Sequence, residues 1–112
     1  MDDYEEIFTM EIYGYTMDEE GKITTSASVG DTVRVYLTAN ETIELSYEGT
    51  VSGGSNSLRI YDDLYYYSTV RIYSGQTYSR QIVLYEGDTL VFEYVIQENS
   101  SATINYIKVL LD

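Results

Sequence analysis

Along most of this chain apolar and polar residues alternate with a period of two. The pattern is clearest in a tetrad written three times: Val33-Arg34-Val35-Tyr36, Leu58-Arg59-Ile60-Tyr61 and Val70-Arg71-Ile72-Tyr73. Successive side chains of a strand point to opposite faces, so each copy buries its aliphatic residues and turns Arg and Tyr outward together. The same alternation predicts strands over Ile7–Thr16, Thr32–Ala39, Thr42–Val51, Thr77–Tyr85 and Thr89–Ile96. Lys22–Ser28 is only weakly apolar and reads as an edge strand. Ala102–Leu111 is apolar on both faces towards its end, which predicts a central position in its sheet. Turn chemistry punctuates these segments, at Asp18-Glu19-Glu20-Gly21, Asn40-Glu41, Ser74-Gly75-Gln76, Glu86-Gly87-Asp88 and Glu98–Ser101. Ser52–Asn56 reads as an exposed loop. No segment of ten residues has helical periodicity. About eight or nine strands at this spacing predict an all-β fold, an antiparallel β-sandwich of jelly-roll type, as one domain over residues 1–112.

The stretch Leu58–Gly75 poses a register problem. If its two tetrads form one hairpin with Leu58, Ile60, Val70 and Ile72 inward, a two-residue turn at Asp62-Asp63 would put Val70 and Ile72 on the wrong face. The sequence therefore predicts a longer connection, a bulge near Tyr65–Ser68, or strands in different sheets. A faint repeat is also present. Gly30-Asp31-Thr32-Val33 recurs as Gly87-Asp88-Thr89-Leu90, as expected of a sandwich with pseudo-symmetric halves.

Composition narrows the chemistry. The chain has 112 residues, enough to bury roughly two-thirds of its unfolded surface. Its net charge is −13 with only six Lys and Arg, which argues against nucleic acid and anionic membranes as partners. No apolar run is long enough to span a membrane, and the acidic start MDDYEEIF is unlike a signal peptide, so a soluble, unexported protein is expected. There is no Cys and no His, hence no disulfide, thiolate or imidazole ligand. Pro and Trp are absent too, although a chain of this length averages roughly five or six Pro. Tyr, by contrast, occurs 14 times.

Candidate chemistry is correspondingly sparse. The outward residues Arg59, Tyr61, Tyr65, Tyr67, Arg71 and Tyr73 could form a platform on which an aromatic ring packs against a pyranose while Arg bonds its hydroxyls. The plainer account is that Tyr is a good strand former, spread over most of the strands. The acidic clusters Asp2-Asp3, Asp18-Glu19-Glu20 and Asp62-Asp63 lack the spacing of a calcium loop and read as solvated turns. Without an imidazole partner the serines are not activated, and Lys22 and Lys108 look exposed. Neither catalysis nor a metal or other cofactor is expected. Asn40-Glu41-Thr42 and Asn99-Ser100-Ser101 match the glycosylation pattern but read as turn residues.

The run GQTYSRQIVLYEGDTLVFEY at Gly75–Tyr94 resembles the jelly-roll accessory domains of secreted bacterial glycosidases and surface proteins. That resemblance implies a non-catalytic carbohydrate-binding or adhesion module. The joint loss of Pro, Cys, His and Trp, with one tetrad reused three times, resembles a computationally designed sequence. The main expectation is therefore a designed, monomeric all-β scaffold without a partner. The alternative is a glycan-binding module that uses the exposed Tyr/Arg face.

Overall fold

The computed structural model describes residues 7–110, apart from the side chains of 65–68. Asp2-Asp3 and Leu111 lie outside the described residues. The described residues form ten strands: β1 (Phe8–Tyr13), β2 (Tyr15–Met17), β3 (Ile23–Thr25), β4 (Thr32–Ala39), β5 (Ile43–Ser52), β6 (Leu58–Asp62), β7 (Tyr65–Ile72), β8 (Thr77–Leu84), β9 (Thr89–Val95) and β10 (Ser101–Leu110). They make two antiparallel five-stranded sheets, a front sheet ordered β1-β4-β9-β6-β7 and a back sheet ordered β2-β3-β10-β5-β8.

The core lies between the sheets and follows the alternation. Val33, Val35, Leu37 and Ala39 of β4 and Ile43, Leu45 and Tyr47 of β5 are buried, as are Leu58, Ile60 and Ile72 on the front hairpin. Tyr47 meets Phe92 of the opposite sheet edge-to-face, with centroids 5.4 Å apart. Where Gly49 interrupts β5, a Cβ would meet Ile72 Cδ1 at 2.9 Å and Leu58 Cδ2 at 3.1 Å. The missing side chain lets the front sheet close onto β5.

Two expectations about strand extent fail. Ile7–Thr16 is not one strand: it breaks at Gly14, with β1 joining the front sheet and β2 the back. Gly14 has φ +82°, and a Cβ there would run into Val33, so only glycine allows the chain to turn this corner. The Lys22–Ser28 segment shrinks to three residues and is not an edge, since β3 lies between β2 and β10. Its few apolar residues reflect shortness rather than an edge position.

β10 is central, as expected. Its mixed apolar faces have a local cause. The register with β5 shifts at Asn105, so Ala102 and Ile104 point inward before the bulge and Ile107 and Val109 after it. Asn105 Nδ2 donates to Glu48 Oε2 (3.0 Å) and Thr50 Oγ1 (2.8 Å), which holds the bulge.

The two central tetrads form one hairpin. Leu58 pairs with Ile72, Arg59 with Arg71 and Ile60 with Val70, while Asp62 pairs with Tyr65 across the turn. Residues 66–69 therefore lie opposite the single residue Tyr61, an irregularity where the parity argument requires one. The Gly-Asp-Thr repeat is also realised in space. β4 and β9 are antiparallel neighbours, and each is preceded by the same turn. Asp31 Oδ2 accepts from Ser28 N and Asp88 Oδ2 from Tyr85 N, both at 3.1 Å. Each turn glycine donates to the far end of the other strand, Gly30 N to Ile96 O and Gly87 N to Ala39 O, both at 2.8 Å. The two turns thus repeat one hydrogen-bond pattern at opposite ends of the β4–β9 pair.

Loop 52–56 is exposed but tied down. Ser55 N and Asn56 N donate to Gln97 Oε1 at 2.7 and 2.8 Å, and Asn56 Nδ2 donates to Val95 O. No helix among the described residues is long and apolar enough to cross a membrane.

Candidate functional site

The tetrads converge on the outer face of the front sheet. β4 and β6 flank β9 on its two sides, so Arg34 and Arg59 stand opposite the same residue, Glu93. Arg34 Nε lies 2.7 Å from Glu93 Oε2, and Arg59 Nη1 lies 2.7 Å from Glu93 Oε1. The carboxylate is nearly sealed, its side chain 11% exposed, whereas the arginine side chains remain 41% and 43% exposed. Each oxygen of Glu93 thus accepts a charge-assisted bond, and the two cations are fixed with much of their surface in solvent.

Tyrosines frame this bridge. Tyr13 lies beside Arg34 on β1, and Tyr36 and Tyr61 lie either side of Val91 in the next row. Val91 is completely buried although it points away from the core, shielded by its neighbours on this face. Tyr13 and Tyr36 meet edge-to-face at 5.9 Å. The Arg59 guanidinium sits 5.5 Å from the Tyr61 ring centroid, a cation–π contact. Tyr61 OH is 3.5 Å from Glu93 Oε2, and Tyr13 OH donates to Glu11 Oε2 at 2.9 Å. Burial, and then the charge of Glu93, raise the Tyr61 phenol above its ordinary range. The bond to Glu11 raises that of Tyr13, and the bond to Glu93 raises the Arg34 guanidinium. Near neutrality, then, the phenols keep their protons and the guanidinium its charge, so all three are hydrogen-bond donors.

The face is shallowly relieved rather than pitted. A hollow of about 330 Å³ lies among Tyr13, Thr32, Arg34 and Tyr36, and one of about 130 Å³ among Asn56, Ser57, Arg59, Glu93 and Val95. A larger cleft of about 550 Å³ opens between β6 and β8, with Ile60, Asp62, Arg80, Ile82 and Leu84 in its lining. It shares Tyr61 with the outer face but is otherwise floored by core residues, and Asp62 in its lining is the ladder partner of Tyr65.

Of the residues singled out from the sequence, Arg59 and Tyr61 belong to the cluster. Arg71 faces Arg59 across the ladder, and Arg71 and Tyr73 are exposed. The side chains of Tyr65 and Tyr67 lie outside the described residues. Sequence reasoning missed Tyr13, Arg34, Tyr36 and Glu93. The third tetrad was the available signal for Arg34 and Tyr36, and the lone carboxylate inside Leu90–Tyr94 was the signal for Glu93.

The acidic turns serve the backbone. Asp18 Oδ1 accepts from Glu20 N and Lys22 N, both at 2.9 Å, and Asp62 Oδ1 accepts from Leu64 N at 2.8 Å. Among the described residues no group of three or more carboxylates is placed to hold a metal ion.

No protein-family model matches the sequence, and no curated protein matches it. Solved structures do match its fold. The chain superposes on the secreted serine protease VesC from Vibrio cholerae with a TM-score of 0.71 and 13% identity, covering 90% of this chain but 24% of that one. It matches a family 16 carbohydrate-binding module with a TM-score of 0.52 and 14% identity over 88% of this chain and 86% of the module. A family 29 module (CBM29-2) matches with a TM-score of 0.54 and 11% identity over 90% and 79%. The fold is a jelly-roll β-sandwich. At these identities the likeness concerns the fold alone, and the chain spans about a quarter of the protease.

Proposed function

We propose that the chain is a non-catalytic, single-domain glycan-binding module that holds its ligand on the outer face of the front sheet. The observation that carries this reading is the Arg34–Glu93–Arg59 bridge. One buried carboxylate fixes two half-exposed guanidiniums between the rings of Tyr13, Tyr36 and Tyr61. A sugar ring offers apolar C–H faces and equatorial hydroxyls, and this surface offers aromatic faces beside preorganised donors. Because Glu93 immobilises the arginines before any ligand arrives, little side-chain entropy is lost on binding. Arg71, on β7, and Tyr73, just past its end, extend the surface. A designed scaffold without a ligand, the main expectation from composition, finds no support among the structural neighbours. Two of those neighbours are carbohydrate-binding modules, which favours the alternative. Non-catalytic action fits a chain without His or Cys.

A glycan array tests the proposal. Wild type and Thr77→Ala, altered on the back sheet, are expected to give the same positive pattern. Arg59→Ala and Tyr61→Ala are expected to bind at least about tenfold more weakly, which is about 1.4 kcal/mol for a contact at the centre of a site. Equal binding by all four proteins contradicts the proposal.

A further inference from the structure

The proposed site carries a charge imbalance that a neutral sugar does not use. Reading across the sheet, one row runs Tyr13, Arg34, Glu93, Arg59, Arg71. Three of the six cationic residues of a −13 chain therefore stand in one line with a single carboxylate. Both oxygens of Glu93 are taken by Arg34 and Arg59. Arg71 is exposed, is the direct ladder partner of Arg59, and makes no ion pair among the described residues. Like charges directly opposite on a ladder oppose folding. Glu11, the acid of the next row, lies at its far end and is bonded to Tyr13.

The geometry points to a uronic-acid unit of an acidic polysaccharide as the ligand at the Arg59–Arg71 end of the face. Its carboxylate would sit between Arg59 and Arg71 as the Glu93 carboxylate sits between Arg34 and Arg59, completing an alternating row. Planar guanidinium forks match the two oxygens of a carboxylate. The sugar ring would then extend over Tyr61 towards the central bridge. The overall charge of −13 selects further. Among anionic polymers it repels those of high charge density, such as nucleic acid or sulfated glycans, more than one with a single weak acid per sugar. The inference rests on the glycan-binding reading and names its substrate class.

Affinity electrophoresis in native gels separates the two claims. Polygalacturonate is expected to retard the wild type, and more weakly as salt rises from about 0.02 to about 0.3 M. Arg71→Gln, at an exposed position, is expected to fold normally and to lose this retardation at least about tenfold, while Thr77→Ala retains it. Retardation by hydroxyethyl cellulose with none by polygalacturonate overturns the uronate assignment and leaves the glycan reading standing. Retardation by no polysaccharide overturns both. Equal retardation by dextran sulfate and polygalacturonate, with both lost in Arg71→Gln, overturns carboxylate selectivity. Undiminished polygalacturonate binding by Arg71→Gln overturns the placement.

Discussion

Arg34 and Arg59 stand two strands apart and are joined through the two oxygens of one carboxylate, each at 2.7 Å. Removing that carboxylate leaves two cations facing each other across β9. Because both arginine side chains are over a third exposed, solvent screens much of the cost. Glu93→Gln is expected to lower stability by about 1–2 kcal/mol, below the ~3–5 kcal/mol of a fully buried broken pair. Urea denaturation measures it. A change under about 0.3 kcal/mol means the bridge does not hold the face together.

Gly14 is where the first strand leaves one sheet for the other. Gly14→Ala combines a left-handed backbone with a collision into Val33 and is expected to cost about 3 kcal/mol or more. Gly21→Ala has φ +87° but nothing within 4 Å, and is expected to cost only about 1 kcal/mol. Thermal melting of the two variants side by side checks this ordering, and equal losses contradict the corner at Gly14.

Tyr94 is buried at 1% exposure, and its hydroxyl has no hydrogen-bond partner among the described residues. A sealed, unsatisfied hydroxyl opposes folding. Tyr94→Phe is therefore expected to be neutral or to stabilise by up to about 1 kcal/mol, read from the denaturation midpoint. Tyr15→Phe should do the opposite, since Tyr15 OH donates to Phe92 O at 3.0 Å.

The buried phenols also set an alkaline limit. Burial, above all, pushes the Tyr15 and Tyr47 phenols above the ordinary value of 10.0, and for Tyr47 the cation of Arg80 partly offsets the rise. Below pH 10 both folded and unfolded chains hold these protons, so neither group makes stability depend on pH. Above it the unfolded chain releases protons that the folded chain keeps. Stability then falls by up to about 1.4 kcal/mol per pH unit for each group. Tyrosinate absorbance should rise in two stages, the second together with loss of the near-ultraviolet dichroism. One stage near pH 10 with dichroism intact contradicts the burial of these residues.

Alternation made the interior legible from sequence, because a period of two assigns each side chain to a face without reference to any partner strand. Val33, Val35, Leu58 and Ile60 were all placed correctly in this way. It says nothing of which strand lies beside which, and the candidate site depends on that. Arg34 and Arg59 are 25 residues apart and meet only because β9 inserts between their strands. Alternation gives Glu93 a face but not its partners, and its role is non-local. The division at Gly14 and the bulge at Asn105 were missed for a related reason. Both change which face a side chain occupies through a single residue's backbone, while the residues on either side go on alternating.

The central claim is that ligand is held on the outer face of the front sheet. It is tested most directly by titrating the isotopically labelled protein with an oligosaccharide found to bind and following its amide and side-chain NMR signals. Perturbations confined to the rows around Tyr36, Arg34, Glu93, Arg59 and Tyr61, with the back sheet silent, are the expected result. Perturbations centred instead on Ile82, Leu84 and Arg80, at the cleft between β6 and β8, would contradict it.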